Sequence, residues 1–124
     1  MFQRAYLHYL TGRAFANAGM QDDAILAYNQ ALMLDPSYFE CLRQLARAYV
    51  AVRKFRAGER ALRTALQKSP GPAADSEIHQ QLGQLFETEG RPHEAIIEYS
   101  TAVQIDPNNT SARDALQRLQ GART

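Results

Sequence analysis

The 124-residue chain has no tryptophan and a single cysteine, Cys41. One cysteine cannot form an intramolecular disulfide or supply a thiolate zinc cluster, and it favours a reducing compartment. No apolar run approaches the length needed to cross a bilayer, and Met1-Phe2-Gln3-Arg4 leads directly into a helical pattern, leaving no room for a signal peptide. A cytoplasmic location is the expectation, for a complete protein or for a piece of a longer one. Charge excess is missing too: the net charge is +1, so the total gives no reason to expect nucleic acid or an anionic membrane as partner.

Catalytic equipment is equally sparse. The chain has no H-E-x-x-H, no G-x-x-x-x-G-K and no G-x-S-x-G, and Cys41 has no histidine within a helical turn to activate it. His8 and His79 share one repeat column, but two layers of helices would hold them about 20 Å apart, too far for one metal ion. They are read as flat packing residues. The expectation is a chain that is not an enzyme and that uses no cofactor and no metal.

What the chain does have is an internal repeat. Pro36, Pro70 and Pro107 each close an apolar helical stretch, at spacings of 34 and 37 residues. The same offsets align Gly12, Ala46 and Gly83; Phe15, Tyr49 and Phe86; Tyr28, Leu62 and Tyr99; and Ala31, Ala65 and Ala102. Small residues in the first column, facing Ala24, Gly58 and Ala95, permit close approach of two antiparallel helices, and large rings fill the space beside that contact. Ala24, Tyr28, Ala31 and Leu32 fall on one helical face, as do Ala95, Tyr99, Ala102 and Val103, and a lone hairpin cannot bury such a stripe. The hairpins must stack.

Small residue, aromatic, alanine, aromatic, alanine and proline in this order resemble the tetratricopeptide-repeat (TPR) pattern. The match is close in the first and third repeats and looser in the middle one, where Ala46, Gly58 and Leu62 depart from it. The resemblance implies an all-α, right-handed α-solenoid of three helical hairpins, about 5–38, 39–72 and 76–109, ended by a capping helix over 110–120. The whole chain, 1–124, is then one domain. Helices are expected near 4–18, 22–34, 38–52, 56–68, 76–89 and 92–105, with Gly19 and Gly90 at turns and 69–75 as the one long loop, a bend within the domain.

In TPR proteins the first helices of the hairpins line a groove that holds a peptide or a partner helix. The residues placed there by this resemblance are Phe2, Tyr6, Tyr9, Arg13 and Asn17 in the first repeat, Glu40, Arg43, Arg47 and Val50 in the second, and Glu77, Gln80, Gln84 and Glu87 in the third. Arg13, Arg43 and Arg47 are close enough in register to converge on one carboxylate, unless they are solvated or paired with Glu40. The expected partner is therefore a protein or peptide carrying an acidic group. Some family members grip the C-terminal carboxylate of heat-shock chaperones through a Lys, Asn, Asn, Lys, Arg clamp. The residues aligned with it here are Tyr9, Arg13, Gln44, Glu77 and Gln81, none of which keeps its identity, so that ligand is not expected.

Two other functions compete. The stripe Phe2, Tyr6, Tyr9 is expected at an uncapped end, to be covered by a preceding helix of a longer chain or by a second copy in a homo-oligomer. Residues 39–72 carry a net +6 against −4 for 73–124, and Arg53, Lys54, Arg56, Arg60, Arg63 and Lys68 could meet phosphates. Nucleic-acid binding is nonetheless disfavoured, because Phe55 is the only ring interleaved for base stacking.

Overall fold

The structure, a computed structural model, describes residues 2–121; the side chain of Phe2 and residues 1 and 122–124 lie outside the described residues. Seven helices make up the described chain: α1 (Phe2–Asn17), α2 (Gln21–Leu34), α3 (Phe39–Ala51), α4 (Phe55–Gln67), α5 (Pro72–Glu89), α6 (Pro92–Ile105) and α7 (Thr110–Gly121). They form an all-α helical repeat. Two compact units divide at Lys68 and Ser69, the start of the Pro/Gly segment.

Six of the seven helix positions agree with the sequence reading to within two residues, and α5 differs for a definite reason. It begins at Pro72 instead of 76, with the Asp75 amide donating to Gly71 O at 3.0 Å. Proline is well suited to a first helical turn, where its missing N–H costs no hydrogen bond. The extra residues in the 37-residue spacing are therefore a further turn of helix, and the expected loop over 69–75 shrinks accordingly.

In the first unit α1 pairs with α2, α3 pairs with α4, and α3 packs on α2. The first pairing depends on a glycine. A Cβ at Gly12 would lie 2.5 Å from two ring carbons of Tyr28, a fully buried side chain. The same arrangement recurs in the second unit, where a Cβ at Gly83 would lie 2.7 Å from the Tyr99 ring. The small residue thus makes room for the ring of the partner helix, a more specific role than facing Ala24 or Ala95. In the middle repeat both members change together, Ala46 with Leu62, and both are buried.

Each hairpin turns in the same way. Met20 N donates to Phe15 O, Lys54 N to Tyr49 O and Arg91 N to Phe86 O, at 2.9, 2.8 and 2.8 Å, closing three equivalent six-residue turns. The residue before each donor has a left-handed backbone: Gly19 at φ 79°, Gly90 at φ 84°, and Arg53 at φ 63°. Arginine bears a steric cost there that glycine does not. Its guanidinium lies 5.0 Å from the centre of the Phe55 ring, a contact that offsets part of that cost.

The second unit pairs α5 with α6 and α6 with α7. Buried Ser76 donates from Oγ to Ala102 O at 2.8 Å and accepts from Asn109 Nδ2 at 3.0 Å, while Asn109 Oδ1 caps the Ala112 amide at the start of α7. His79 Nδ1 lies 2.8 Å from Glu98 Oε1, so this histidine packs between helices. At the other end of α7, Arg118 holds Glu87 through both terminal nitrogens, at 2.8 and 2.9 Å, and the Tyr99 hydroxyl donates to Glu87 Oε1 at 2.7 Å. The Arg118 bonds hold the Glu87 carboxyl below the usual carboxylate range, with burial opposing and the Tyr99 hydroxyl reinforcing them.

Two outcomes follow from these contacts. Gly12→Ala lowers stability by about 1–3 kcal/mol in chemical denaturation, because overpacking outweighs the gain in helix propensity; Tyr28→Leu, which recreates the Ala46 and Leu62 pair, recovers part of the loss. Because the Glu87 carboxyl is depressed in the folded state, its contribution is complete above the ordinary value of about 4.3 and is lost as pH falls through the lower folded value. Urea midpoints measured from neutral pH downward should therefore fall less steeply in the acid for Glu87→Gln than for the natural sequence.

Candidate functional site

Where α1, α2 and α3 of the first unit meet, the surface opens into a pocket of about 360 Å³. Arg13, Ala16 and Asn17 line it from the last turns of α1, Gln21 and Tyr28 from α2, and Gln44, Arg47, Ala48 and Ala51 from α3. The small residues leave the space, and the long polar ones stand around it. Two guanidinium groups border it and no carboxylate does. Neither Arg13 nor Arg47 has an acidic partner among the described residues, so both charges are available to a ligand.

Tyr28 belongs to this wall although its residue is fully buried. Its hydroxyl has no hydrogen-bond partner among the described residues. Burial pushes its pKa up to about 12, the neighbouring Tyr9 and Cys41 add to the rise, and Arg13 and Arg47 oppose it. At neutral pH the group is a neutral O–H donor without an acceptor. A buried donor in that state costs free energy comparable to a lost hydrogen bond.

Of the residues expected in the groove, Arg13, Asn17 and Arg47 come together in this pocket. Arg43 does not join them. It pairs with Glu40 at 3.4 Å and lies 5.9 Å from the centre of the Phe39 ring, so the expected trio of arginines reduces to two. Tyr9 corrects a second expectation: at 7% exposure it lies in the core, tilted against Tyr28 at 6.1 Å and Tyr38 at 5.0 Å. The ladder of i, i+3 and i+4 positions placed it beside Tyr6, but the rings contributed by α2 and by the turn before α3 close over it. Tyr6 stacks on its outer side at 6.4 Å and is 51% exposed, and Arg13 lies 5.9 Å from the Tyr9 ring centre. Gln80 is half-buried and Gln84 exposed on α5 of the second unit, in the columns of Arg43 and Arg47. Glu87, expected to face a ligand, is held by Tyr99 and Arg118.

The sequence reading placed Tyr28 only in the core and passed over Ala16. The signal that finds them is column comparison: Ala16 and Tyr28 stand where Glu87 and Tyr99 stand in the third repeat. Elsewhere, Cys41 is fully buried, its Sγ donates to Tyr28 O at 3.4 Å, and burial pushes the thiol up to about 12, which makes it unreactive. Along α4, Arg56, Arg60 and Arg63 border a shallow groove with Glu59, which pairs with Arg63 at 3.6 Å. Among the described residues no three His, Cys, Asp or Glu side chains group as metal ligands, and no helix is long and apolar enough to cross a membrane.

Comparison with known proteins bears on this architecture. The chain shares its fold with the Arabidopsis OM64 TPR domain, at TM-score 0.85 and 19% identity with 98% of each chain covered. It is similar to the first TPR of Spaghetti (RPAP3) bound to HSP90 peptide SRMEEVD, at TM-score 0.83 and 22% identity over 98% of this chain and 94% of that one. A third likeness is to the N-terminal domain of stress-induced protein-1 (STI-1) from C. elegans, at TM-score 0.82 and 15% identity over 96% of each chain. Curated protein sequences give no match. Family models for the tetratricopeptide repeat match residues 5–38 and 43–110. With its repeated glycine and ring contacts and its three equivalent turns, the chain belongs to the tetratricopeptide-repeat family.

Proposed function

We propose that the protein is an interaction module that binds a peptide or partner helix bearing an acidic group at the pocket of the first unit. The observation that carries this reading is the pair Arg13 and Arg47, two guanidinium groups beside a pocket that contains no acid to neutralise them. Arginine presents several donors in a fixed fork and suits a carboxylate better than a point charge does. Asn17 and Gln44 add amide donors and acceptors for a peptide backbone, and Tyr6 supplies an exposed ring at the N-terminal end of the same helix. Arg43 and Glu40 satisfy one another and form a rim. Gln80 and Gln84 are assigned the same kind of role on the second unit's own first helix.

The neighbour bound to an HSP90 peptide supports peptide recognition as something this fold can do. Its ligand is not carried over. Tyr9, buried here, stands where the clamp has a lysine, and Gln44 where it has an asparagine.

Self-association is a second reading, favoured by a separate observation on the first hairpin. Leu7, Leu26 and Met33 are 61%, 64% and 82% exposed, whereas Cys41 and Ile78, the column mates of Leu7, are fully buried. These aliphatic side chains add to Tyr6, the exposed ring of the expected stripe among the described side chains, while Tyr9 of that stripe is buried.

Display selection of random peptides against the natural protein should enrich aspartate and glutamate, and the Arg13→Glu, Arg47→Glu double variant should reverse that preference while its circular dichroism stays unchanged. Unaltered enrichment would remove Arg13 and Arg47 from the site. Calorimetry with the HSP90 peptide SRMEEVD should show no micromolar binding. For the second reading, light scattering over a dilution series should show a mass that falls toward the monomer, with Leu7→Glu, Met33→Glu monomeric throughout; a monomer at every concentration ends that reading.

A further inference from the structure

The chain contains its own template for what the pocket holds. In the second unit, the Tyr99 hydroxyl donates to Glu87 Oε1 at 2.7 Å, and Arg118 clasps the same carboxylate at 2.8 and 2.9 Å. Stepping back 71 residues from each of the three gives Tyr28, Ala16 and Arg47, all in the wall of the pocket of the first unit. The tyrosine and the arginine recur; the carboxylate between them does not. Alanine stands in its place, and the Tyr28 hydroxyl is buried with no hydrogen-bond partner among the described residues.

We propose that the pocket is a carboxylate seat: a partner's carboxylate takes the position that Glu87 occupies in the second unit, accepting hydrogen bonds from Tyr28 Oη and from the Arg47 guanidinium. This rests on the reading of the pocket as the partner site and specifies the group that enters it. Arg13, whose column mate in the second unit is the neutral Gln84, adds a second positive charge that the template lacks. The seat in the first unit is therefore more strongly anionophilic than its internal counterpart. Three donor groups converging on two oxygens satisfy a planar carboxylate, and the buried hydroxyl rewards only a group that reaches the floor of the pocket. The carboxylate can come from an aspartate or glutamate side chain or from a chain terminus.

Supplying the carboxylate from within tests the geometry without any partner. Ala16→Glu should raise the thermal midpoint by about 4 °C or more, the scale of one good hydrogen-bonded contact in a domain of this size. That gain should vanish in a Tyr28→Phe background, where the ring over Gly12 is kept, and in an Arg47→Gln background. An Ala16→Glu midpoint that is unchanged or lower, or a gain that survives both backgrounds, overturns the proposal. Sodium acetate, compared with sodium chloride at equal ionic strength, should shift the NMR signals of the backbone amide at position 16 and of Arg47 Nε in the natural protein and leave the same two signals unmoved in Ala16→Glu. Equal responses in the two proteins overturn it as well. Short acidic peptides with free and with amidated C-termini then separate the two sources: loss of the shifts on amidation assigns a chain terminus, and retention assigns a side chain. None of the stability or acetate measurements needs a peptide to be selected first, so failure of the groove reading would leave their outcome standing.

Discussion

The contact between a glycine on one helix and a tyrosine ring on the next is the constraint from which the repeats are built. It sets how near the two helices of a hairpin can come, and that distance decides which other side chains are buried. With Gly12 under Tyr28 and Gly83 under Tyr99, the flanking alanines Ala24, Ala31, Ala95 and Ala102 reach complete burial. Interiors packed at this density tolerate neither a void nor an added methyl group. The middle repeat obeys the same volume rule with different residues: Ala46 is larger than glycine, and Leu62 lacks the ring that would collide with it.

Much of this was legible in the sequence because the repeat supplies three readings of one structure. The columns through Gly12, Tyr28 and Pro36 fix helix identity and pairing, and Gly19 and Gly90 mark two of the three turns. Arg53, in the third, escaped notice because a left-handed backbone at a non-glycine residue leaves no mark in composition; only its column reveals it. The start of α5 was misjudged because Pro, Gly and Ala compose both loops and first helical turns. Tyr9 was misplaced for another reason. Helical periodicity reports the angle of a side chain about its own axis, and burial here is set by rings arriving from α2 and Tyr38.

The site shows where a repeat protein acquires individuality. Residues that hold the helices together are shared between repeats, so the informative positions are those at which one repeat departs from another beside a shared element. Tyr28 shares a pocket with Arg47 and Tyr99 shares a carboxylate with Arg118, in matching columns, yet Tyr99 is satisfied by Glu87 and Tyr28 has no partner among the described residues. A change from glutamate to alanine is nearly silent in composition. Physically it converts an internal ion cluster into a charged pocket, and exposure alone could not have revealed it.

Cys41 bonds to the carbonyl of Tyr28 at the contact between α2 and α3, sealed from solvent. An alkylating reagent can modify this sulfur only during moments when the two helices part. The rate of its modification is therefore a clock for that parting, already placed by the natural sequence at the seam beneath the pocket, and it has no competing thiol anywhere in the chain.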